Sequence, residues 1–494
     1  MKQKALDLFW HRYKYYPYEV VLARREIEAL LAPRSIREIP GGLRLSAPAR
    51  PETANRLVYF AGAGPDGSQT SQARLERVNG NGPNRQSTRY SAHGLHEYKG
   101  RFNPQIAKAI LNTLGIPSGA RVLDPFCGSG TSLIEAAHLG MRAIGTDINP
   151  LAIFLANAKA ASLTLAPAEL RAGLRAVQRK RAIPKRTGDA REAYLDTWFT
   201  PPVFQKIELL REALSGIEPI VASILFACAS NLLRDYSLQD PIDLRIRRRK
   251  TPLPEKPFLE AFAESVERFA VRIADARDTL SDIGSANAVL LDSRKISPKQ
   301  GGLGNHLFDC ALTSPPYATA LPYIDTQRLS LVWLGLIPPE EILPLDARLV
   351  GSRESRGHER KMMAHDLAEN AAGLPSKQAE YCIKLLHAMG ESDGFRRKAV
   401  PSLLYRYFVG MRDSFRSIRT VMREGAPYVL IVGGNHTTLG GKRFDIDTPS
   451  HLAAIAESAG WRTREILPLQ TYQRYGYHMS NAVASEAMVI LEAA

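Results

Sequence analysis

Residues 120–152 read ARVLDPFCGSGTSLIEAAHLGMRAIGTDINPLA. Val122 and Leu123 make a short apolar strand that ends at Asp124. A turn carrying Gly128 and Gly130 follows, then a helical stretch from Ser132 to Leu139, then a second strand, Arg142 to Thr146, ending in Asp147. Strand, glycine turn, helix and strand make a βαβ unit, which predicts a parallel sheet. The glycines let the backbone pass close to a ligand. An acid about 20 residues on, closing the second strand, can accept hydrogen bonds from ribose hydroxyls.

The turn also says what the ligand is not. A dinucleotide fingerprint needs a third glycine, and Leu133 stands in its place. Asp124 would set a carboxylate against a pyrophosphate, and the repulsion argues against NAD. A carboxylate suits an amine-bearing or cationic ligand such as S-adenosylmethionine, which has an α-ammonium, a sulfonium and no phosphate.

A second stretch, FDCALTSPPYATALPYID from Phe308, raises a different question. An apolar strand ends in Thr313-Ser314-Pro315-Pro316-Tyr317. Two prolines stop a strand and stiffen the loop behind it. A rigid loop at a strand's end is where open α/β sheets carry their chemistry.

Around these two stretches the chain divides by pattern. Residues 1–60 read as an N-terminal helical extension, with Ala23, Ile27, Leu30 and Leu31 at helical spacing. Residues 61–92, rich in Gly, Asn, Ser and Gln, read as a linker loop or a ligand-ordered loop. Residues 93–159 hold the βαβ unit. Residues 160–285 are long amphipathic helices broken by prolines, an insertion. Residues 286–494 return to α/β patterning, with a second, charged insertion at about 350–400.

Formal charge is +15, which favours a polyanionic partner. The densest basic run is Arg245, Arg247, Arg248, Arg249 and Lys250, inside the helical insertion. Four cysteines lie far apart with no CxxC pair, which argues against a zinc site or a disulfide framework, and no metal is expected. No run of 18 apolar residues exists, and the charged, aromatic N-terminus lacks a signal-peptide core, so the expectation is a cytoplasmic protein with no membrane contact.

Asp124-Pro125-Phe126-Cys127-Gly128-Ser129-Gly130-Thr131 resembles the cofactor motif of S-adenosylmethionine-dependent amino-methyltransferases that act on nucleic acids. Thr313-Ser314-Pro315-Pro316-Tyr317 resembles their catalytic motif, in the form typical of DNA cytosine-N4 methyltransferases. The resemblance covers about 93–155 and 286–494. It implies an α/β fold, a Rossmann-like class I methyltransferase sheet. It implies that Asp124, Phe126, Gly128, Ser129, Gly130 and Thr131 surround the methionine end of S-adenosylmethionine, with Phe102 and Pro104 over it. Asp147 and Ile148 would sit at the ribose, Asp292 at the adenine amine, and Thr313 beside the cofactor. The partner would be DNA, together with a cognate restriction endonuclease or defence-system subunit.

The catalytic motif has a chemical logic. The exocyclic amine of cytosine is a poor nucleophile, because its lone pair is delocalised into the ring. Acceptors aimed at its N–H groups, here Ser314 Oγ and the Pro315 carbonyl, draw it towards sp³ geometry, and the prolines hold that carbonyl still. Tyr317 offers a face for a base swung out of the helix. Tyr323, Asp325 and Arg328 fall near the pocket mouth. Cytosine-C5 chemistry would need a thiolate after a proline; no proline precedes Cys310, which reads as a packing residue inside its strand. Three alternatives stay open: adenine-N6 in DNA, a base in RNA, and a non-catalytic subunit with the same fold.

Overall fold

A computed structural model describes residues 5–77, 86–100, 102–180, 186–243, 245–299, 302–304, 306–318, 324–354, 357–470 and 486–494, with the side chains of 357–361 excepted. Strands β1 (Leu6–Trp10), β2 (Ser35–Ile39), β3 (Gly42–Ser46), β4 (Phe60–Ala63) and β5 (Ser68–Gln69) form an antiparallel sheet in the order β2-β3-β1-β4-β5. Helix α1 (Pro17–Leu31) buries Leu22, Ala23, Ile27, Leu30 and Leu31 in one core with Leu8, Leu43 and Leu45 of that sheet. The expected N-terminal helical extension is therefore corrected to a small α+β unit. Its strands are at most five residues long, so alternation such as Leu43-Arg44-Leu45, buried-exposed-buried, is hard to read from sequence.

The segment expected as a linker is also built into the fold. It supplies β4, β5 and helix α2 (Ser71–Arg77), and its polar residues turn inward. Lys108 Nζ donates to Gln72 Oε1 at 2.9 Å, and Gln105 Nε2 donates to the Ser87 carbonyl at 2.7 Å. Polar composition here serves buried hydrogen bonds rather than solvation.

The main sheet comprises β6 (Arg121–Asp124), β7 (Arg142–Asp147), β8 (Ser285–Leu290), β9 (Cys310–Thr313), β10 (Pro427–Gly433), β13 (Trp461–Leu469) and β14 (Glu486–Ala493), with a hairpin of β11 (Asn435–Leu439) and β12 (Lys442–Ile446) beside it. The order is β13-β14-β10-β9-β6-β7-β8, and β14 alone runs antiparallel to its neighbours. Helices α3 (Pro104–Thr113), α4 (Thr131–His138) and α5 (Pro150–Thr164) pack around its first half. This is the Rossmann-like sheet that the sequence led us to expect.

Between β7 and β8 a single crossover helix would suffice. The chain adds α6 (Pro167–Arg179), α7 (Ala190–Asp196), α8 (Pro201–Leu214), α9 (Pro219–Ser230) and α10 (Phe258–Thr279). Pro167, Pro201 and Pro219 each open a helix, where a missing N–H costs nothing. These helices share one core with Leu151 and Leu155 of α5 and with Leu331 and Trp333 of α11 (Arg328–Trp333), the helix after the double proline. Helices α12 (Ile342–Arg348), α13 (Gly357–Ala368), α14 (Ser376–His387), α15 (Phe395–Lys398) and α16 (Val400–Arg419) then lead to β10, and α17 (Thr448–Glu457) precedes β13. Among the described residues no single helix is long and apolar enough to cross a membrane. The α5–α6 pair meets that test only jointly, across a 119° bend.

Candidate active site

Strand β6 has β7 on one side and β9 on the other, so the order of the sheet reverses there. The crevice outside such a switch point is where open α/β sheets bind ligands. Both sequence motifs end strands at it, with Val122 opposite Cys310 and Leu123 opposite Ala311. Thr313 Oγ1 donates to Asp124 Oδ1 at 2.6 Å, Ser132 Oγ donates to Oδ2, and the Phe126 amide donates to Oδ1 at 3.1 Å. Asp124 is 2% exposed and Thr313 is fully buried. Burial pushes the Asp124 carboxyl up to about 6, against the pull of the two hydroxyls. The carboxylate read as facing a cofactor amine is thus turned inward onto three donors, and it ties the glycine loop to the double-proline loop.

The glycine loop is shaped for close approach. Gly128 has φ +48° and Gly130 has φ +83°. A Cβ on Gly130 would come 3.1 Å from that of Ala156, and one on Gly128 would come 3.2 Å from the ring of Tyr98. Asp147 accepts from the Gly128 amide at 3.1 Å and the Asn149 amide at 2.9 Å. Burial raises its carboxyl to about 6 in spite of these amides. Lys159 of α5 reaches behind the loop and donates to Ser129 O and Oγ, both at 2.9 Å. Thr131 begins α4, Ile148 packs on the insertion's core, and Phe126 packs on the core around α16.

The flanking segment divides differently from expectation. Phe102 is half-buried against the core shared with the N-terminal sheet, and Pro104 is the first residue of α3. Tyr98, from the same stretch, is the side chain that meets the loop, and its hydroxyl accepts from Asn149 Nδ2 at 3.4 Å. Asp292 lies just beyond β8, where it caps a short turn and pairs with Arg294 at 2.6 Å. Burial opposes its charge, and the guanidinium overrides that and holds the carboxyl below its ordinary value.

In the double-proline loop Pro315 is buried, while Ser314, Pro316 and Tyr317 are half-buried. The Tyr317 hydroxyl donates to Glu486, the first residue of β14. A Cβ on Gly351 would fall 2.7 Å from the Tyr317 carbonyl, and Asn435 Nδ2 donates to the Ala318 carbonyl at 2.7 Å. Asn149 Nδ2 donates to Gln327 Oε1 at 2.5 Å, which joins the end of β7 to the segment after the double proline. Tyr98, Lys159, Gly351, Asn435 and Glu486 escaped the sequence reading, and no local pattern marks them. The Cys310 thiol is fully buried, and burial pushes its pKa up, away from a nucleophilic thiolate.

The basic run is partly anchored. Arg249 donates to the carbonyls of Asp235 at 2.5 Å and Ser237 at 2.9 Å. Arg247 pairs with Asp243 at 3.0 Å, Arg245 lies 3.7 Å from the same acid, and Arg248 stacks over Trp198 at 4.6 Å. Arg245, Arg247, Arg248 and Lys250 remain exposed. Gln239, bridged to Arg248, donates to the Asp325 carbonyl at 3.2 Å, so the base of this loop stands against the segment that follows the double proline. Arg328 lies over Tyr194 at 5.8 Å. Tyr323 lies outside the described residues.

Residues 95–192 match the family described as UPF0020: RMKL-like, methyltransferase domain. The chain is 26% identical over 291 residues to the type II methyltransferase M.MvaI of Kocuria varians, across 55% of this chain and 64% of that one. It is 23% identical over 439 residues to M.BsoBI of Geobacillus stearothermophilus, across 78% and 81%. A shorter stretch, 52 residues at 46%, matches the tRNA (guanine(10)-N2)-dimethyltransferase of Methanothermobacter thermautotrophicus, across 10% and 16%. The match thus spans just under two thirds of M.MvaI.

The sheet order and the glycine loop at its switch point are Rossmann-like, and residues 95–192 are similar to a methyltransferase domain. Its cofactor is S-adenosylmethionine. The site fits that molecule: Asp147, an acceptor, closes β7, and two positive-φ glycines clear the approach.

Proposed function

We propose that the chain is a DNA methyltransferase that methylates the exocyclic N4 amine of a cytosine flipped out of the duplex. S-adenosylmethionine supplies an electrophilic methyl group. Asp147, with Ile148 beside it, receives the ribose. Phe126, Gly128, Ser129, Gly130 and Thr131 form the wall at the methionine end, with Tyr98 above, and Asp292 serves the adenine side. Ser314 Oγ and the Pro315 carbonyl accept from the cytosine amine, and Tyr317, steadied by Glu486, stacks on the base. Arg245, Arg247, Arg248, Lys250 and Arg328 contact the DNA backbone.

The observation that carries this reading is the buried Thr313–Asp124 hydrogen bond. It fastens the acceptor loop to the cofactor loop, as in-line transfer between two bound partners requires. The type II relatives support DNA as substrate, and Ser314, where adenine enzymes usually carry Asp or Asn, favours cytosine. A guanine in RNA is the second reading, favoured by the 46% match to a tRNA enzyme. We further propose a role in a restriction or defence system, with a cognate endonuclease as partner, a reading the type II relatives support.

The test is nucleoside mass spectrometry of DNA and RNA from cells without their own DNA methylases. N4-methylcytosine in DNA, absent with Ser314→Ala, is the expected result. N6-methyladenine, or a methylated guanine in RNA, would replace the substrate and leave the site intact. No modified base with cofactor still bound would overturn the catalytic reading.

A further inference from the structure

A second polar cavity lies outside the active site. It holds about 110 Å³ and is walled by Arg89, His93, His96, Asn231, Arg268 and Arg272, with Glu97 at its edge. Ser265, Arg268 and Arg272 line it from one face of α10, and residues 89–97 close it from the cofactor side. The three arginines and the Asn231 amide supply the donors, while His93 is held by Glu135 at 2.6 Å and His96 by the Glu97 carbonyl at 2.5 Å. Arg89 pairs with Glu97 and Arg268 with Glu264 at 3.3 Å, and both arginine side chains stay more than half exposed. Arg272 reaches deeper and donates to the Gly94 carbonyl at 3.3 Å.

Charge in this cavity is out of balance. Three guanidiniums face Glu97 alone among the lining residues, with Glu264 behind Arg268. Burial and the nearby charges of Arg268 and Arg89 lower the pKa of Arg272. His93 and His96 are pushed down to about 4, chiefly by burial, so at neutral pH they add no charge. Like charges crowded in a partly desolvated hollow are relieved by a bound anion. The forked guanidinium geometry suits tetrahedral oxyanions.

We propose that this cavity binds a phosphate group. Its position gives the binding a consequence. His96 Nε2 hydrogen-bonds Ser230 Oγ at 3.2 Å, and Ser230 Oγ donates to Ser330 Oγ at 2.8 Å on α11, the helix that follows the catalytic loop. Tyr98, against Gly128, is two residues from His96. A phosphate held here pulls α10 onto the segment that covers the cofactor loop. The phosphate comes from a nucleic-acid backbone or from free solution, and the chemistry of capture is the same. The cavity and its charges stand whichever base is methylated.

The test uses the full chain and Arg89→Gln/Arg268→Gln, both exposed positions. Arg175→Gln/Arg179→Gln on the exposed face of α6 serves as a control for the loss of two charges elsewhere. Two probes are titrated: inorganic phosphate, read by thermal stabilisation, and a 20-base-pair duplex, read by affinity at several salt concentrations. Methyl-donor binding is measured separately, so failure of the methyltransferase reading shows on its own axis. A backbone phosphate predicts that the variant loses roughly tenfold in duplex affinity and about 1 from the slope of log affinity against log salt, with the control unchanged. A free phosphate predicts loss of the stabilisation by inorganic phosphate at unchanged duplex affinity. If neither probe distinguishes the variant from the control, the proposal is wrong.

Discussion

Thr313→Val removes one hydroxyl and little else, and it tests the joint between the two motifs. Asp124 then keeps Ser132 and the Phe126 amide and loses its 2.6 Å partner on β9. A hydrogen bond to a buried charge is worth about 1.5–3 kcal/mol, and one to a neutral group about 1 kcal/mol. Which applies depends on pH. The carboxyl titrates near 6 in the folded chain, against an ordinary 3.8. The folded state therefore holds this proton more tightly than the unfolded chain does. Its contribution to stability falls as pH climbs from about 4 through about 6, and levels off above that. Losing the Thr313 donor further disfavours the carboxylate and raises its pKa by about one unit, or about 1.4 kcal/mol. We expect the substitution to cost about 2 kcal/mol at pH 8 and about 1 kcal/mol at pH 5. Hydrogen exchange of the amides in residues 122–131 reads this locally. Corrected for intrinsic rates, protection should fall by roughly 30-fold at pH 8 and roughly 5-fold at pH 5, if exchange proceeds from the opened state. Equal losses at the two pH values, or the same cost in an Asp124→Asn background, would refute the reasoning.

The same logic extends to the cofactor. Burial also raises the Asp147 carboxyl to about 6, and in its proposed role only the ionised form would accept from both ribose hydroxyls. S-adenosylmethionine should bind about tenfold more weakly at pH 5 than at pH 8, and Asp147→Asn should bind weakly with no such pH dependence, both measured by calorimetry. Gly128→Ala meets a φ of +48° and a contact 3.2 Å from the Tyr98 ring, so it should cost about 1–2 kcal/mol in stability and roughly tenfold in cofactor affinity. Glu135 of α4 is buried among Tyr90 at 2.8 Å, His93 at 2.6 Å, His138 at 3.3 Å and Lys108 at 3.6 Å. Burial opposes its charge, but His138 and Lys108 hold the carboxyl well below its ordinary range. Glu135→Gln strands the Lys108 charge and should destabilise the chain by about 3 kcal/mol, visible as a lower urea midpoint.

Much of the site was legible because its parts are local. The glycine loop, Asp147 and the double-proline loop are each set by residues within a few positions of one another, and the backbone rules for Gly, Pro and strand ends act at that range. The helical insertion was legible too, since each helix carries its own apolar face and several begin with proline. The short strands of the first 60 residues were not. Pairing across a sheet brings together residues far apart in sequence, and five residues are too few to establish a period.

By itself, then, the amino-acid sequence determined a parallel α/β core, a glycine loop at its first turn, and a double-proline loop at the end of a later strand. Tertiary structure alone decided what each group faces. It turned Asp124 inward onto Thr313, set Tyr98 rather than Phe102 against Gly128, brought Glu486 to Tyr317 across 169 positions, and gathered Arg89, Arg268 and Arg272 around one cavity. The physical reason is range. Backbone conformation is governed by neighbours along the chain, whereas burial and the charge around a titratable group depend on whatever the fold packs against it.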